Sequence, residues 1–161
     1  MFLPAINPDV ERLPNRRLQS FAIKLLTIMK WKVIGKLPNK KKFILAVAPH
    51  TSNWDFFIAV LVMLALRLKV TFLGKKSIFV GPFGSLLRKF GGMPIERSNS
   101  NGVVGQLVCA FEDAETMVLG LAPEGTRRKT KQWKTGFLII AQQAKIPIVP
   151  VSLDFSKKQV E

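Results

Sequence analysis

Between residues 43 and 153, apolar runs of strand length alternate with segments of helical period, and this alternation is the strongest constraint on the fold. Residues 43–48, 70–73, 93–96, 117–122 and 147–153 are the strand candidates. Residues 55–69 read as a very apolar helix. Residues 82–90 carry Phe83, Leu86, Leu87 and Phe90 at helical spacing, with Pro82 suited to the first turn and two glycines to end it. Residues 102–115 place Val104, Leu107, Val108 and Phe111 on one helical face, and residues 135–145 form the last helix candidate. The pattern predicts an α/β fold: a single layered domain with a largely parallel mixed sheet flanked by helices. No repeat and no linker interrupts it, and 161 residues suit one domain.

In such a sheet, ligands bind beyond the carboxyl ends of the strands. The polar loop residues are grouped accordingly. His50, the single histidine, follows the first strand after Pro49; Arg97 follows the third; Glu124, Gly125, Thr126 and Arg127 follow the fourth. Asp55 comes five residues after His50, where the apolar helix begins. A lone imidazole with a carboxylate in reach is what a general base and its orienting acid require. Ser52-x-x-Asp55 also fits a helix-capping pattern, in which Asp55 serves only backbone N–H groups. Arginines grip phosphate through paired donors, and Thr126 and the Gly125 N–H are candidate neutral donors to an oxyanion. No G-x-S-x-G elbow and no G-x-x-x-x-G-K-[ST] loop occurs, which argues against a serine hydrolase and a nucleoside triphosphatase. A base beside a phosphate clamp, without a protein nucleophile, points to direct acyl transfer to a phosphorylated alcohol.

Charge narrows the partners. Lys and Arg number 25 against 10 Asp and Glu, a formal +15, so an anionic partner is expected. There is no Tyr, and the twelve Phe fall mostly in apolar runs rather than among basic loop residues, a poor match to base stacking. Nucleic acid is therefore not an expected partner. The single cysteine, Cys109, excludes an internal disulfide, agrees with a reducing compartment and reads as a small core residue.

Ahead of the alternating region, residues 1–17 read as an irregular arm with three prolines, and no small-residue cleavage site marks a secretory signal. Residues 18–34 are apolar and helical in character, interrupted by Lys24, Lys30 and Lys32. Two readings stand: a helix on a membrane interface with Trp31 and the lysines near headgroups, or a helix packed on the core. The lysine run at 36–42 is a solvated loop or an added attraction to anionic lipid. The expected division is a 1–42 arm with an interfacial helix and a 43–161 α/β domain.

The motifs resemble those of the glycerolphosphate acyltransferases, particularly the 1-acylglycerol-3-phosphate (lysophosphatidate) acyltransferases. His50-Thr-Ser-Asn-Trp-Asp55 matches H-x-x-x-x-D; Gly91-Gly-Met-Pro-Ile-Glu-Arg97 matches the glycine-to-arginine motif; Glu124-Gly125-Thr126-Arg127, after Pro123, matches E-G-T-R. Residues 146–151 resemble the fourth, proline-containing apolar motif, and the likeness runs over about residues 18 to 151. The resemblance implies His50 as general base on a glycerol hydroxyl, Asp55 holding its tautomer, and Arg97 with the Glu124–Arg127 loop binding the acceptor. Arg97 and Arg127 would hold its phosphate, and Glu124 would orient Arg127 or a backbone amide. The implied donor is a thioester of coenzyme A or acyl carrier protein. No metal or bound cofactor is implied, and the implied location is the cytoplasmic face of a membrane, peripheral or monotopic. Pro49 stands where the family often has asparagine, and Pro94 where an aromatic or aliphatic residue is frequent. Both shape the pocket, which leaves another lysolipid, such as a lyso-aminolipid, open as acceptor. A non-catalytic lipid-binding protein on the same scaffold is the alternative from another class. The chain ends at Glu161, soon after the fourth motif, so a closing strand or helix is expected to be missing or to lie in a longer reading.

Overall fold

The computed structural model describes residues 3–49, 53–95, 100–125 and 132–161. Helices α1 (Arg16–Ile28), α2 (Asn53–Leu66), α3 (Gly81–Lys89), α4 (Ser100–Asp113) and α5 (Gly136–Gln143) alternate with strands. These are β1 (Lys32–Val33), β2 (Lys42–Ala48), β3 (Val70–Lys75), β4 (Gly92–Ile95), β5 (Met117–Leu121), β6 (Ile148–Asp154) and β7 (Gln159–Val160). The sheet order is β1-β7-β6-β2-β5-β3-β4. From β6 to β4 every pairing is parallel; β7 runs antiparallel to β6 and pairs in parallel with β1. This is the α/β architecture with a largely parallel mixed sheet that the alternating pattern predicts.

Alternation of side chains along each strand sorts the core onto two faces. Phe43 and Val118 face a cluster with Ala22 and Leu26 of α1 and Ile58, Leu61 and Ala65 of α2. Ile44 and Leu119, one residue on, face Leu107 and Phe111 of α4 and Ile140 and Ala141 of α5. The sheet is thus sandwiched between helix pairs. Residues before position 43 share the first of these clusters: Val10, Ala22, Leu26, Trp31 and Val33 pack with Phe43 and Ile58. The arm is also tied down by polar contacts. Leu13 N–H donates to the Arg67 carbonyl, and the Arg67 side-chain Nε donates to the Leu13 carbonyl, both at 2.8 Å.

Helix ends explain where the sequence pattern misleads. A helix over 18–34 is expected, but α1 stops at Ile28. Lys30 adopts a left-handed conformation (φ 61°), its N–H donates to Thr27 O, and Trp31 N–H donates to Leu26 O. That is a Schellman end, with the apolar pair Trp31 and Leu26 closing it. Trp31 is consequently buried and packs edge-on against Phe155, so it does not reach a headgroup layer. Arg67 with Leu68 ends α2 in the same way, and Lys145 with Ile146 ends α5. All three left-handed positions carry a cation near a helix carboxyl terminus, where the backbone dipole favours positive charge. The end of α3 differs, because a Cβ on Gly91 (φ 95°) would lie 2.2 Å from Val70 O. Only glycine fits there.

Two smaller corrections concern α4 and the sheet edge. Cys109 is exposed, because α4 turns Leu107 and Phe111 inward and places Cys109 off that face. Strands β1 and β7 are two residues each, too short to leave a periodic signature. The turn before β7 is built on Asp154, whose carboxylate accepts from Ser156 Oγ (2.6 Å) and from the Ser156 and Lys157 N–H groups. These donors, the Ser156 hydroxyl first, hold the Asp154 carboxyl below its ordinary pKa. A depressed carboxylate contributes stability above its unfolded pKa and loses it as pH falls through the lowered value.

The helix ends yield a contrast measurable by urea denaturation. Gly91→Ala is expected to destabilise by about 3 kcal/mol or more through a backbone clash. Lys145→Gly, which relieves a left-handed Cβ in open surroundings, is expected to stay within about 1 kcal/mol, on the stabilising side.

Candidate active site

Parallel pairing brings the carboxyl ends of β2, β4 and β5 to one edge of the sheet, because register couples Ala46 to Leu121 and Lys75 to Ile95. The chain leaves these strands at Ala48, Ile95 and Leu121, within a few residues of each candidate side chain. His50, Arg97, Thr126 and Arg127 lie outside the described residues. Asp55, Glu124 and Gly125 lie within them.

Asp55 sits in the first turn of α2 and is only 2% exposed. The amino end of a helix suits a carboxylate, since unpaired N–H groups and the helix dipole both favour negative charge there. Burial of an ionisable group requires partners. Among the described residues no buried side-chain polar atom lacks one. Position and burial are compatible both with a capping role and with an orienting role towards the His50 segment, which enters α2 directly.

After β5 the chain makes a tight turn in which Gly125 N–H donates to Ala122 O at 3.1 Å. Pro123 is fully buried and Glu124 is 9% exposed, so this turn is packed into the body of the protein rather than laid on it. Gly125, at φ 62°, holds the last position of the turn. Its N–H is therefore engaged within the turn in this structure. Its lack of a side chain has a different use. A Cβ there would lie 2.7 Å from Cε of Lys134 and 3.2 Å from its Nζ. Lys134 N–H in turn donates to Pro123 O at 2.8 Å. An ammonium thus crosses the Glu124–Gly125 turn at the carboxyl edge of the sheet. Sequence reasoning missed Lys134, because the last lysine of the basic run 127–134 carries no spacing signal that sets it apart.

Beneath this edge lies an apolar cavity of about 490 Å³, within the size range of small-ligand sites. Its walls come from the strand face that carries Leu45, Val47 and Phe72, from Ala59 and Met63 of α2, and from Leu87 of α3. Asp55 is the one polar side chain among the described residues that line it. An apolar cavity with a single carboxylate in its lining has the chemistry to accept a hydrocarbon chain. The helical spacing in 82–90 marked an apolar face, but not that part of it borders a void. A smaller depression, about 180 Å³, lies at the opposite, amino ends of β3 and β5 beside the Glu11–Lys69 ion pair.

Comparison with known proteins bears on the family and the fold. The family model described as Acyltransferase matches residues 30–154. The chain is 28% identical over 149 residues to the 1-acyl-sn-glycerol-3-phosphate acyltransferase of Streptococcus pneumoniae, covering 86% of this chain and 54% of that protein. It is 31% identical over 137 residues to the Saccharomyces cerevisiae protein of the same name, covering 80% of this chain and 44% of that protein. The chain thus spans about half the length of the curated relatives it matches. Its fold is similar to the crystal structure of the 1-acyl-sn-glycerophosphate (LPA) acyltransferase PlsC from Thermotoga maritima. The TM-score is 0.57 at 20% identity, over 85% of this chain and 56% of that one. From the match of the family model over most of its length, the chain belongs to the acyltransferase family.

Proposed function

We propose that this protein moves a fatty acyl group from acyl-CoA or acyl carrier protein to the free hydroxyl of a lysophospholipid, with 1-acylglycerol-3-phosphate as acceptor and phosphatidic acid as product. The observation that carries this reading is the apolar cavity bordered by the buried Asp55. The motif order in the sequence and the names of the relatives support it.

In the proposed reaction His50 takes the proton of the acceptor hydroxyl as its oxygen attacks the thioester carbonyl. The C–O bond forms, the tetrahedral intermediate collapses, and the C–S bond breaks; the proton leaves with the thiol. Asp55 holds the neutral tautomer of His50 and then stabilises the imidazolium. Arg97 and Arg127 bind the acceptor phosphate, Thr126 adds a hydroxyl donor, and Glu124 orients Arg127 or a backbone amide. Gly125 keeps the turn free of a side chain, so that Lys134 lies across it. No step calls for a metal or a bound cofactor.

The membrane is the proposed place of work, on its cytoplasmic face. Among the described residues no helix is long and apolar enough to cross a membrane. A net +15 and the apolar acceptor favour a peripheral or monotopic arrangement on an anionic surface.

Thiol release from acyl-CoA, followed with and without 1-acylglycerol-3-phosphate, tests the chemistry. His50→Ala is expected to lower acceptor-dependent release by about 10²–10⁴ while the protein keeps its fold, as judged by thermal melting. Release that ignores the acceptor would identify a thioesterase instead. Arg97→Ala and Arg127→Ala are expected to raise KM for the phosphate-bearing acceptor; equal effects on an acceptor without phosphate would refute the clamp. Ala59→Phe, which projects a ring into the cavity, is expected to shorten the preferred acyl chain. Unchanged chain-length preference in that variant would separate the cavity from the reaction.

A further inference from the structure

Helix α3 has two apolar faces, and the fold uses only one. Inward, Gly84 lies so close to the backbone of Phe79 that a Cβ would come within 2.2 Å of its carbonyl carbon, while Leu87 and Phe90 line the cavity. Phe79 itself is buried, with the Arg88 guanidinium 5.3 Å over its ring and donating to its carbonyl. These contacts fix the helix firmly to the sheet edge. Outward, Val80 is 71% exposed, Phe83 61% and Leu86 50%, with Ile78 of the preceding 3-10 turn beside them. A nine-residue helix held this rigidly gains nothing from presenting such a face to water.

Charge and continuity identify what covers it. Lys75, Lys76 and Lys89 flank the face and are exposed, and no Asp or Glu occurs between Asp55 and Glu96. A second copy seated here by a two-fold axis would set this cationic rim against itself, whereas an anionic surface would be attracted to it. The face also runs without a polar break into the cavity: Leu86 of α3 and Phe56 of α2 are each at least half exposed, and both line it. A hydrocarbon chain could pass from a bilayer into the slot without crossing water.

We propose that the outer face of α3, through Ile78, Val80 and Phe83 with the flanking lysines, seats on an anionic bilayer and that the acyl chain of a membrane lipid enters the cavity between Leu86 and Phe56. The delivery half rests on the reading of the cavity as an acyl site; the docking half does not. The contrast is with α1, which packs Ala22 and Leu26 inward and leaves only Phe21 and Ile28 exposed among its larger apolar residues, separated by Lys24.

Co-sedimentation of the full chain with vesicles tests this, using phosphatidylcholine alone or mixed with phosphatidylglycerol. The wild type is expected to partition preferentially to the mixed vesicles. The double variant Val80→Ser/Phe83→Ser is expected to lose about tenfold or more of that partitioning, with an unchanged melting temperature. The same variant is expected to keep turnover on a short-chain acceptor dissolved as monomers and to lose it on long-chain acceptor in vesicles. If Phe21→Ser/Ile28→Ser abolishes partitioning and the α3 variant does not, the contact lies on α1 and the proposal is overturned. If the α3 variant instead abolishes a dimer of the vesicle-free protein, a second copy covers the face, which also overturns it. Wild-type protein that ignores every vesicle would overturn the membrane reading as a whole. Wild-type protein that binds vesicles through α3 but transfers no acyl group would leave the docking surface standing and overturn the enzymatic reading with its delivery route.

Discussion

The parallel hydrogen-bond ladder that β2 makes with β5 on one side and β6 on the other is the constraint on which the rest depends. Pairing of Ile44 with both Leu119 and Ile148 locks three strands in one direction. Every loop that leaves a carboxyl end must then emerge at the same edge, and every helix must cross back over a face. The H-x-x-x-x-D segment enters α2 from β2, and the E-G-T-R segment follows β5, the neighbour of β2. Segments some seventy residues apart in the chain are thereby brought to adjacent strand ends. A one-residue slip in that ladder would also exchange the Phe43 and Ile44 faces and unpack both helix layers.

A cost accompanies this arrangement on one side of the sheet. The face that carries Leu45, Val47 and Phe72 is not filled by α2 and α3, and the resulting void forfeits dispersion contacts that a closed core would have. Lined almost wholly by apolar groups, it offers a hydrocarbon chain a site with almost no polar surface to desolvate. Glycines sustain its geometry at its borders. Gly120 lines the void from the central strand β5, where a Cβ would meet Val70 Cγ1 at 2.7 Å, and Gly92 and Gly74 let Phe79 pass close to β3 and β4. The carboxylate of Asp55, held at a helix amino end, is then the chemical landmark of an otherwise featureless slot.

Much of the fold was legible because strand and helix periods differ and the turn residues separate them. Each of the five parallel strands of the sheet lies within a residue or two of its position in the apolar pattern. What could not be read was the geometry that depends on three-dimensional neighbours. Lys30, Arg67 and Lys145 end helices in left-handed conformations that residue type does not announce, so the pattern extends the first helix six residues past its end, and of the two places it leaves open for Trp31 the structure takes the core. Cys109 was misplaced for a related reason, since a small apolar residue one step off a helical stripe looks like part of it. In the site, Asp55 and the Glu124–Gly125 turn were visible as motif residues, but the engaged N–H of Gly125 and the position of Lys134 follow from turn geometry alone. The cavity was invisible in the sequence, because Leu87 and Phe90 carry the same helical signature whether they meet a packed neighbour or an empty slot.

Product identity tests the central claim most directly. Purified protein would be incubated with acyl-CoA and 1-acylglycerol-3-phosphate, and the lipids resolved by mass spectrometry beside a count of thiol released. The account predicts phosphatidic acid carrying the donor's acyl chain, with one thiol released per ester formed. Free fatty acid with the acceptor unchanged would contradict it, because the acyl group would then have passed to water instead of the lysolipid hydroxyl.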